Sequence, residues 1–325
     1  MSPVLPVTIQ DRAHHRPPLH CVLKLYDRRF GTSLRSLHSR KVAAHTQACE
    51  AAFQDFVRRG MMAEFLRQLK QANEADDIAP SPRNFLDNTT EGRAKYEAAL
   101  WYESNEHFRC ETQAYQRLGN LQGKAIPRML AHIRLLAVGG ESNSLPTDLP
   151  PGAASCFEIR GILLEFIDGY SLQDMTTSPL APPSNNPRKR QHIIQSAVDF
   201  AHEINRRGII MEDCAPRNVV VDKRTQTPRV LDLAQCHFRD ELVRLWREWG
   251  WHEDEEWDPD VEYWEHVQGA DNNPEAIGVP MVHRMKKETG VALDIRYPDC
   301  RGIIAGIKRG KAEAESKRAM LKPTR

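Results

Sequence analysis

The residues best suited to catalysis lie in GIIMEDCAPRNVVVD (208–222) and VLDLAQ (230–235). Asp213 and Asn218 stand five positions apart, and Asp232 follows inside an apolar run. Phosphoryl transfer from a nucleotide needs one carboxylate to orient and deprotonate an acceptor hydroxyl. It also needs an amide and a second carboxylate to hold magnesium on the phosphates. Asp213 fits the first role, and Asn218 and Asp232 fit the other two.

A simpler interpretation makes these three side chains turn residues, because Asp and Asn bond their own backbone in tight turns. A carboxylate inside the run VLDLA is costly to bury without a cation or hydrogen-bond donors, which favours the magnesium hypothesis for Asp232. Cys214 lies beside Asp213, but the sequence places no cation or base next to it. We therefore interpret Cys214 as a small packing residue.

Changes in the spacing of apolar residues along the chain indicate the helices and strands that position these residues. Apolar residues one turn apart in HIIQSAVDFAHEINRRG (192–208), with Gly208 as the stop, predict an amphipathic helix before the loop. NVVV (218–221) and RVLDL (229–233) predict two short strands after it. Upstream patterns predict a strand at 20–30 containing Lys24, helices at about 41–75 and 96–118, and a β-hairpin of 128–138 with 156–167.

In this order the motifs resemble the protein-kinase fold, and more narrowly the small fungal kinase-like proteins related to aminoglycoside phosphotransferases. Asp213 to Asn218 is similar to the family's D-x-x-x-x-N loop, and Asp232-Leu233-Ala234 stands where the family has Asp-Phe-Gly. The segment WYESNEHFRCETQAYQRLGNLQGKAIPRML is also close to what the fungal proteins carry before their fourth strand.

The resemblance implies roles for four further residues. Lys24 in VLKLYDRRF would reach the nucleotide phosphates, and Glu111 in RCETQAYQRL would pair with it. ILLEFIDGYSL resembles the hinge between lobes, where the backbones of Glu165 and Ile167 would bond the adenine edge. The interval between Lys24 and Glu111 is unusually long, so a helical insertion must fold out before the two can meet. Glu103 and Glu106 are alternatives on the same segment, and a solvated helix face is the simplest interpretation of all three glutamates.

Three departures from the family pattern limit what the resemblance implies. Met211-Glu212 replaces the His-Arg before the catalytic aspartate, so regulation through an activation-loop phosphate is not expected. Ala215 replaces the lysine of Ser/Thr protein kinases and no Ala-Pro-Glu follows Asp232, which weakens the case for a peptide substrate. The first 30 residues contain no glycine, so the glycine-rich loop over the phosphates is missing or replaced.

Composition excludes several classes of protein. The 325 residues are 40% hydrophobic and 27% charged, as in ordinary globular domains. The formal net charge of +1 provides no chain-wide field for nucleic acid or an anionic membrane, so no specific nucleic-acid partner is expected. No apolar run approaches a membrane span, and seven cysteines without a C-x-x-C pair favour reduced thiols. We expect an intracellular location, cytoplasmic or nuclear.

The sequence thus predicts an α+β, two-lobed protein-kinase-like fold. We expect an N-lobe at 1–168 with a small antiparallel sheet and a helical insertion at about 31–100, a mainly helical C-lobe at 169–300, and a mobile basic tail at 301–325. The leading hypothesis is an ATP- and Mg²⁺-dependent phosphotransferase that acts weakly on an unknown hydroxyl acceptor, protein or small molecule. The alternative is a pseudokinase that acts as a nucleotide-binding or protein-interaction module.

The stretch WHEDEEWDPDVEYWE (251–265) has eight acidic residues and no Lys or Arg. It could recognise a cationic acceptor such as an amine. The preferred interpretation is an amphipathic C-lobe helix whose tryptophans pack inward and whose carboxylates face water.

Overall fold

A computed structural model describes residues 3–10, 17–31, 33–36, 42–75, 80–136, 149–254, 256–269 and 272–320. The protein is a mixed α+β structure with a small antiparallel sheet and many helices. It divides into two compact units, the first formed by Met1–Thr112 with Arg128–Phe166 and the second by Gln113–Pro127 with Ile167–Arg325. The arrangement of the two as kinase lobes, and the predicted boundary at Asp168, stay predictions.

The sheet of the first unit contains β1 (Val4–Ile9), β2 (Leu19–Tyr26), β3 (Met129–Leu136) and β4 (Glu158–Glu165). Its order is β1-β2-β4-β3 with antiparallel pairing throughout. The central β4 is largely buried, as its apolar run ILLE predicts, and β2 pairs Lys24 with Ile162 of β4. The strands at 20–30, 128–138 and 156–167 are therefore confirmed, to within a few residues at their ends.

The strand β1 was missed by the sequence analysis. Pro6 lies within it, at the edge of the sheet, where a residue without an N–H is tolerated. The alternation in VLPVTI is the signal that could have found it. β1 and β2 thus form a β-hairpin whose second strand contains Lys24, although residues 11–16 between the strands lie outside the described part of the chain.

The helices of the first unit are α1 (Gln47–Arg58), α2 (Met61–Ala75) and most of α3 (Thr90–Arg117). The single helix predicted at 41–75 is two helices, because Gly60 adopts a left-handed φ of 73° and ends the first. The helix predicted at 96–118 begins earlier, at Thr90. Phenylalanines of α1 and α2 form the centre of a buried cluster that α3 covers: Phe53, Phe56 and Phe65.

The second unit contains β5 (Gly169–Ser171), α4 (Pro187–Arg206), β6 (Ile209–Met211), β7 (Val219–Asp222), β8 (Pro228–Val230) and β9 (Cys236–Phe238). These are followed by α5 (Arg239–Glu248), α6 (Pro259–Gln268), α7 (Asn273–Thr289) and α8 (Cys300–Met320). The predicted amphipathic helix is α4, whose apolar stripe is fully buried. It packs against α7.

Two small sheets of the second unit flank the loop that follows α4. β5, β7 and β8 form one antiparallel sheet, and β6 pairs with β9 in another. The predicted strand 229–233 ends at Val230, so Asp232 lies just beyond the strand rather than inside it. This shortening frees the backbone of Asp232 from the sheet register.

The acidic, Trp-rich segment packs mostly as the preferred interpretation expects. Trp246 of α5 and Tyr263 of α6 are buried, and Trp257 and Trp264 pack against their cluster. Trp251 is 41% exposed, although its ring stacks on Trp246. Asp258 caps α6 by accepting from Asp260 N and Val261 N.

The C-terminal residues contain the helix α8, which begins at Cys300 and reaches Met320. Residues 321–325 lie outside the described part of the chain. Mobility of the stretch 301–325 stays a prediction.

Candidate functional site

Backbone hydrogen bonds fasten the loop 212–218 to the segment 231–235 at both ends. Glu212 N donates to Gln235 O at 3.0 Å, next to the pairing of β6 with β9. At the other end, Leu231 N donates to Asn218 O at 2.7 Å, next to the pairing of β7 with β8. Because Asp232 directly follows Leu231, its backbone lies beside that of Asn218. The sequence-predicted residues of the second unit are therefore held in two adjacent segments.

The side chains of Asp213 and Asn218 contact each other within this loop. Asn218 Nδ2 donates to the backbone oxygen of Asp213 at 2.7 Å and to its Oδ2 at 3.1 Å. Arg217 Nη2 donates to the other carboxylate oxygen, Oδ1. Among the described residues, Asn218 Oδ1 accepts no hydrogen bond, so this oxygen is available to a ligand.

Asp232 adopts a left-handed backbone conformation with φ of 61°. Residues other than glycine are uncommon there, although Asp tolerates it better than most. The next two residues, Leu233 and Ala234, are buried, while Asp232 itself is half-buried. Such a strained backbone conformation persists only where the surrounding structure stabilises it, and strained residues of this kind cluster at functional sites.

Asn273, at the start of α7, holds the strand that enters the loop. Its Oδ1 accepts from Met211 N at 2.9 Å, and its Nδ2 donates to Met211 O at 2.7 Å. Asn205 Nδ2 of α4 also donates to Asn273 Oδ1, at 2.8 Å. The side chain is 1% exposed, so these bonds satisfy a buried amide that would otherwise be costly. Sequence reasoning missed Asn273, because nothing in NNPEAIG reveals a partner 62 positions upstream.

Cys214 is a packed thiol in this structure. Its Sγ donates to Asn273 O at 3.5 Å. Burial, and then the negative charge of Asp213, raise the pKa of Cys214 to about 12. The thiol is protonated at neutral pH and is not a nucleophile there.

In the first unit, the structure brings Lys24 and Glu111 together across 87 positions of the chain. Lys24 Nζ lies 2.6 Å from Glu111 Oε2, and the two residues are 6% and 0% exposed. Tyr26 OH donates to the same carboxylate oxygen, and its ring packs edge-on against Phe108 of α3. The rival Glu106 pairs instead with Arg109 on its own helix. Tyr26 was missed by the sequence analysis, although its position on the face of β2 that carries Lys24 could have indicated it.

Glu165 is at the end of β4, and its backbone N–H already donates a hydrogen bond within the protein. Glu165 N donates to Arg128 O at 2.9 Å, and its carboxylate accepts from Arg128 N at 3.0 Å. A backbone contact from Glu165 to a ligand would therefore come from its carbonyl group. Ile167 is half-buried and begins the second unit.

The donor set of the second unit fits a hard cation such as Mg²⁺. Asp232 provides a carboxylate and Asn218 an amide oxygen, and Mg²⁺ is usually bound by one or two protein oxygens together with substrate phosphates and water. No cluster of three or more His, Cys, Asp or Glu that could hold a metal by itself occurs in the described ranges. Both oxygens would need a phosphate-bearing substrate to complete the coordination.

Helices long and apolar enough to cross a membrane do not occur in the described part of the chain.

Neither family models nor curated proteins gave a match to this chain. Among solved structures, it is similar to WbdD, co-crystallised with the kinase inhibitor LY294002, with 17% identity and a TM-score of 0.28 over 63% of this chain and 41% of WbdD. It is also similar to WaaP in complex with acyl carrier protein, with 14% identity and a TM-score of 0.27 over 56% of this chain and 75% of WaaP. The match thus spans less than half of WbdD. Because both TM-scores are low, we base the function proposed below on the residues of this chain.

Proposed function

We propose that this protein is an ATP- and Mg²⁺-dependent phosphotransferase of the protein-kinase-like type, related to small fungal kinase-like proteins and aminoglycoside phosphotransferases. The proposal is based on the two backbone hydrogen bonds, one at each end, that join the loop 212–218 to the segment 231–235. It supports a site in which Asp213, Asn218 and Asp232 act together. Such a set serves transfer of a phosphoryl group to a hydroxyl.

In this proposal, Asp213 is the base. Its carboxylate orients the acceptor hydroxyl and takes its proton while the oxygen attacks the γ-phosphorus. Asn218 helps to hold the carboxylate through its bond to Oδ2. Asn218 Oδ1 and the Asp232 carboxylate hold Mg²⁺, which when bound neutralises charge on the phosphates.

The first unit contributes the phosphate clamp and part of the adenine site. Lys24 donates to the phosphates, and Glu111 holds its ammonium in place with the help of Tyr26. The Glu165 carbonyl and the Ile167 backbone bond the adenine edge. A buried lysine held by one carboxylate provides the compact positive charge that a phosphate requires.

We propose slow turnover inside the cell, in the cytoplasm or nucleus. The first 30 residues lack glycine, so the backbone of the β1–β2 hairpin cannot approach the phosphates as closely as a glycine-rich loop does. Phosphoryl transfer depends almost entirely on positioning and charge stabilisation, and a weaker lid reduces both.

The ion pair of Arg217 with Asp213 favours a second candidate, a pseudokinase that binds nucleotide or a protein partner without catalysis. In this structure the guanidinium occupies Asp213 Oδ1, one of the two oxygens a base would use. If Arg217 stays there when substrate binds, proton transfer to that oxygen is blocked.

Release of phosphate from ATP and thermal stability together separate the two candidates. For an enzyme, we expect Asp213→Asn to lower kcat about 10²–10⁴-fold, the usual contribution of a general base. Asp232→Ala should abolish the Mg²⁺-dependent part of the stabilisation by ATP. Asp199→Asn is the matched control, because Asp199 is an exposed carboxylate on α4 that accepts a hydrogen bond from Gln195 and has no role in the proposed site.

Stabilisation by ATP and Mg²⁺ without any turnover would favour the pseudokinase. No stabilisation by ATP with or without Mg²⁺ would remove both nucleotide-binding proposals.

A further inference from the structure

A cavity of about 420 Å³ lies in the second unit beside the candidate catalytic loop. Ala215, Pro216 and Arg217 of the loop line one wall, and one face of α7 lines the other. The volume is within the range of about 300–1,000 Å³ that is typical of small-molecule sites. Residues 215–217 therefore form a wall of a cavity that no role proposed above uses.

The cavity combines a buried apolar surface with a basic edge. Pro216 and Met281 are buried apolar residues in its lining, and the cations are Arg217, Arg284 and Lys287. Arg284 and Lys287 stand three residues apart on α7, so they share a face of the helix. Glu288 is the acidic residue of the lining.

The partners of these charged groups leave an excess of positive charge. Arg284 Nε lies 3.7 Å from Glu288 Oε1, and its Nη1 donates to the backbone of Gln173. Glu288 also accepts from Thr176. Lys287 is exposed and forms no ion pair with any residue in the described ranges. A ligand with a negative group would therefore be favoured at this edge.

We propose that this cavity binds the acceptor and selects a hydroxyl compound that carries a phosphate group. The inference rests on the proposed phosphotransferase function and adds the class of its acceptor. The phosphate of the acceptor lies against Lys287 and Arg284, and the carbon skeleton lies on Pro216 and Met281. The acceptor proposed for this cavity is negatively charged, whereas an amine-bearing acceptor is positively charged.

Arg217 connects acceptor binding to the candidate base. It lines the cavity and donates to Asp213 Oδ1, so an acceptor phosphate competes with Asp213 for its guanidinium. When Arg217 turns to the phosphate, Asp213 Oδ1 becomes available to the acceptor hydroxyl. The hydroxyl proton then passes to Asp213, the oxygen bonds to the γ-phosphorus, and the bond to the β-phosphate oxygen breaks with its electron pair leaving on ADP.

The test compares binding of matched compounds by isothermal titration calorimetry without nucleotide. Glucose 6-phosphate is the soluble phosphate probe, vesicles of phosphatidylcholine with phosphatidylinositol are the lipid-borne probe, and glucose and glucosamine are the neutral and cationic controls. We expect a phosphate-bearing probe to bind at least tenfold more tightly than glucose or glucosamine, and whichever of the two binds identifies the source of the acceptor.

Charge reversals on neighbouring lysines locate the binding. Lys287→Glu should weaken binding of the phosphate probe at least tenfold, whereas Lys286→Glu should change it less than twofold, because Lys286 is equally exposed but does not line the cavity. Glu288→Gln removes the acidic residue and should strengthen binding. Preference for glucosamine, no binding of either phosphate probe, or equal losses in the two lysine variants would overturn the proposal.

Titration of the same proteins with ATP and Mg²⁺ keeps this inference separate from the proposed function. Lys287→Glu should bind nucleotide as the wild type does. Failure of nucleotide binding alone would contradict the phosphotransferase, and failure of phosphate-probe binding alone would contradict the acceptor class.

Discussion

Buried ion pairs at two glutamates of the long helix α3 connect it with the strand β2 and the residues after it, and the two sites differ in kind. Near the C-terminal end of α3, Glu111 meets a lysine, Lys24. Near its N-terminal end, Glu97 meets two arginines, with Arg28 Nη1 at 2.5 Å and Arg35 Nη2 at 2.7 Å.

The difference between lysine and arginine separates a structural contact from one suited to function. Arginine cannot lose its proton in a protein, and its fork of donors binds several acceptors at once. Arg28 also binds Glu50 at 2.5 Å, and Arg35 also donates to Ala43 O at 2.6 Å, so both guanidinium groups are committed to protein partners. A lysine is a single compact charge that can turn to a phosphate. We infer that the Glu97 cluster stabilises the fold and that the Lys24–Glu111 pair serves the ligand.

The largest effect on stability is expected from Glu97→Gln. The change leaves two buried arginines without their shared carboxylate, and breaking a buried ion pair in this way costs about 3–5 kcal/mol. Equilibrium unfolding in urea measures the free energy of unfolding. A loss below about 1 kcal/mol would contradict the structural role of this cluster.

Acid should weaken the same cluster by roughly 3 kcal/mol. Burial alone would raise the pKa of Glu97, but the nearby His45, whose Nδ1 lies 3.6 Å from Oε1, the hydrogen bond from Arg35 and the charges of the arginines lower it to about 2. A lowered carboxyl pKa stabilises the fold above the ordinary value of 4.5 and loses that contribution as pH falls toward 2. The carboxylates of Glu50 and Glu97, 3.2 Å and 3.6 Å from the ring nitrogens of His45, raise its pKa, so its contribution is complete below pH 6.5 and is lost at higher pH.

The combined contribution of Glu97 and His45 to the free energy of unfolding should therefore be greatest between about pH 4.5 and 6.5. Urea unfolding below pH 4.5 and above pH 6.5 checks the acid and alkaline limbs separately. In His45→Gln the alkaline decline should be smaller, and the acid decline should shrink to the part that Arg28 and Arg35 cause, because His45 also lowers the pKa of Glu97. An unchanged alkaline limb in that variant would show that another group causes it.

Glu111→Gln should cost less stability than Glu97→Gln, about 1–3 kcal/mol. The buried lysine left behind can release its proton, which an arginine cannot do. We also expect at least tenfold weaker binding of ATP, because Lys24 is no longer held in place. Urea unfolding and calorimetry measure the two effects. Equal destabilisation by both glutamate variants, with nucleotide affinity unchanged, would contradict the distinction between the Lys24–Glu111 pair and the Glu97 cluster.

Tyr26→Phe should have the smallest effect, about 1 kcal/mol, the usual contribution of one hydrogen bond. The ring and its packing on Phe108 are retained, and the donor to Glu111 is lost. Nucleotide affinity should change less than twofold if Lys24 alone contacts the phosphates. A loss as large as that of Glu111→Gln would show that the hydroxyl also positions the clamp.

Local patterns predicted the elements near the candidate site, but they could not predict its supports. The stripe of α4 and the spacing of Asp213, Asn218 and Asp232 are readable because neighbouring residues determine them. The hydrogen bonds of Asn273 to Met211 and the ion pairs of Glu97 join residues far apart in sequence. The spacing of apolar residues does not indicate which buried polar groups contact each other.

The Lys24–Glu111 contact could be anticipated only through resemblance to a known family. Composition and the spacing of apolar residues do not distinguish Glu103, Glu106 and Glu111 as partners of Lys24. Only the three-dimensional path of α3 past β2 distinguishes them.

The most direct test of the proposed site is the effect of Mg²⁺ on ATP affinity, measured by isothermal titration calorimetry on the wild type and on Asp232→Asn. Asp232→Asn preserves the size of the side chain and the tolerance of Asn for the left-handed conformation, so the variant should fold. We predict that Mg²⁺ strengthens ATP binding at least tenfold in the wild type and less than twofold in the variant. Equal effects of Mg²⁺ in the two proteins, or no ATP binding by the wild type, would contradict the account.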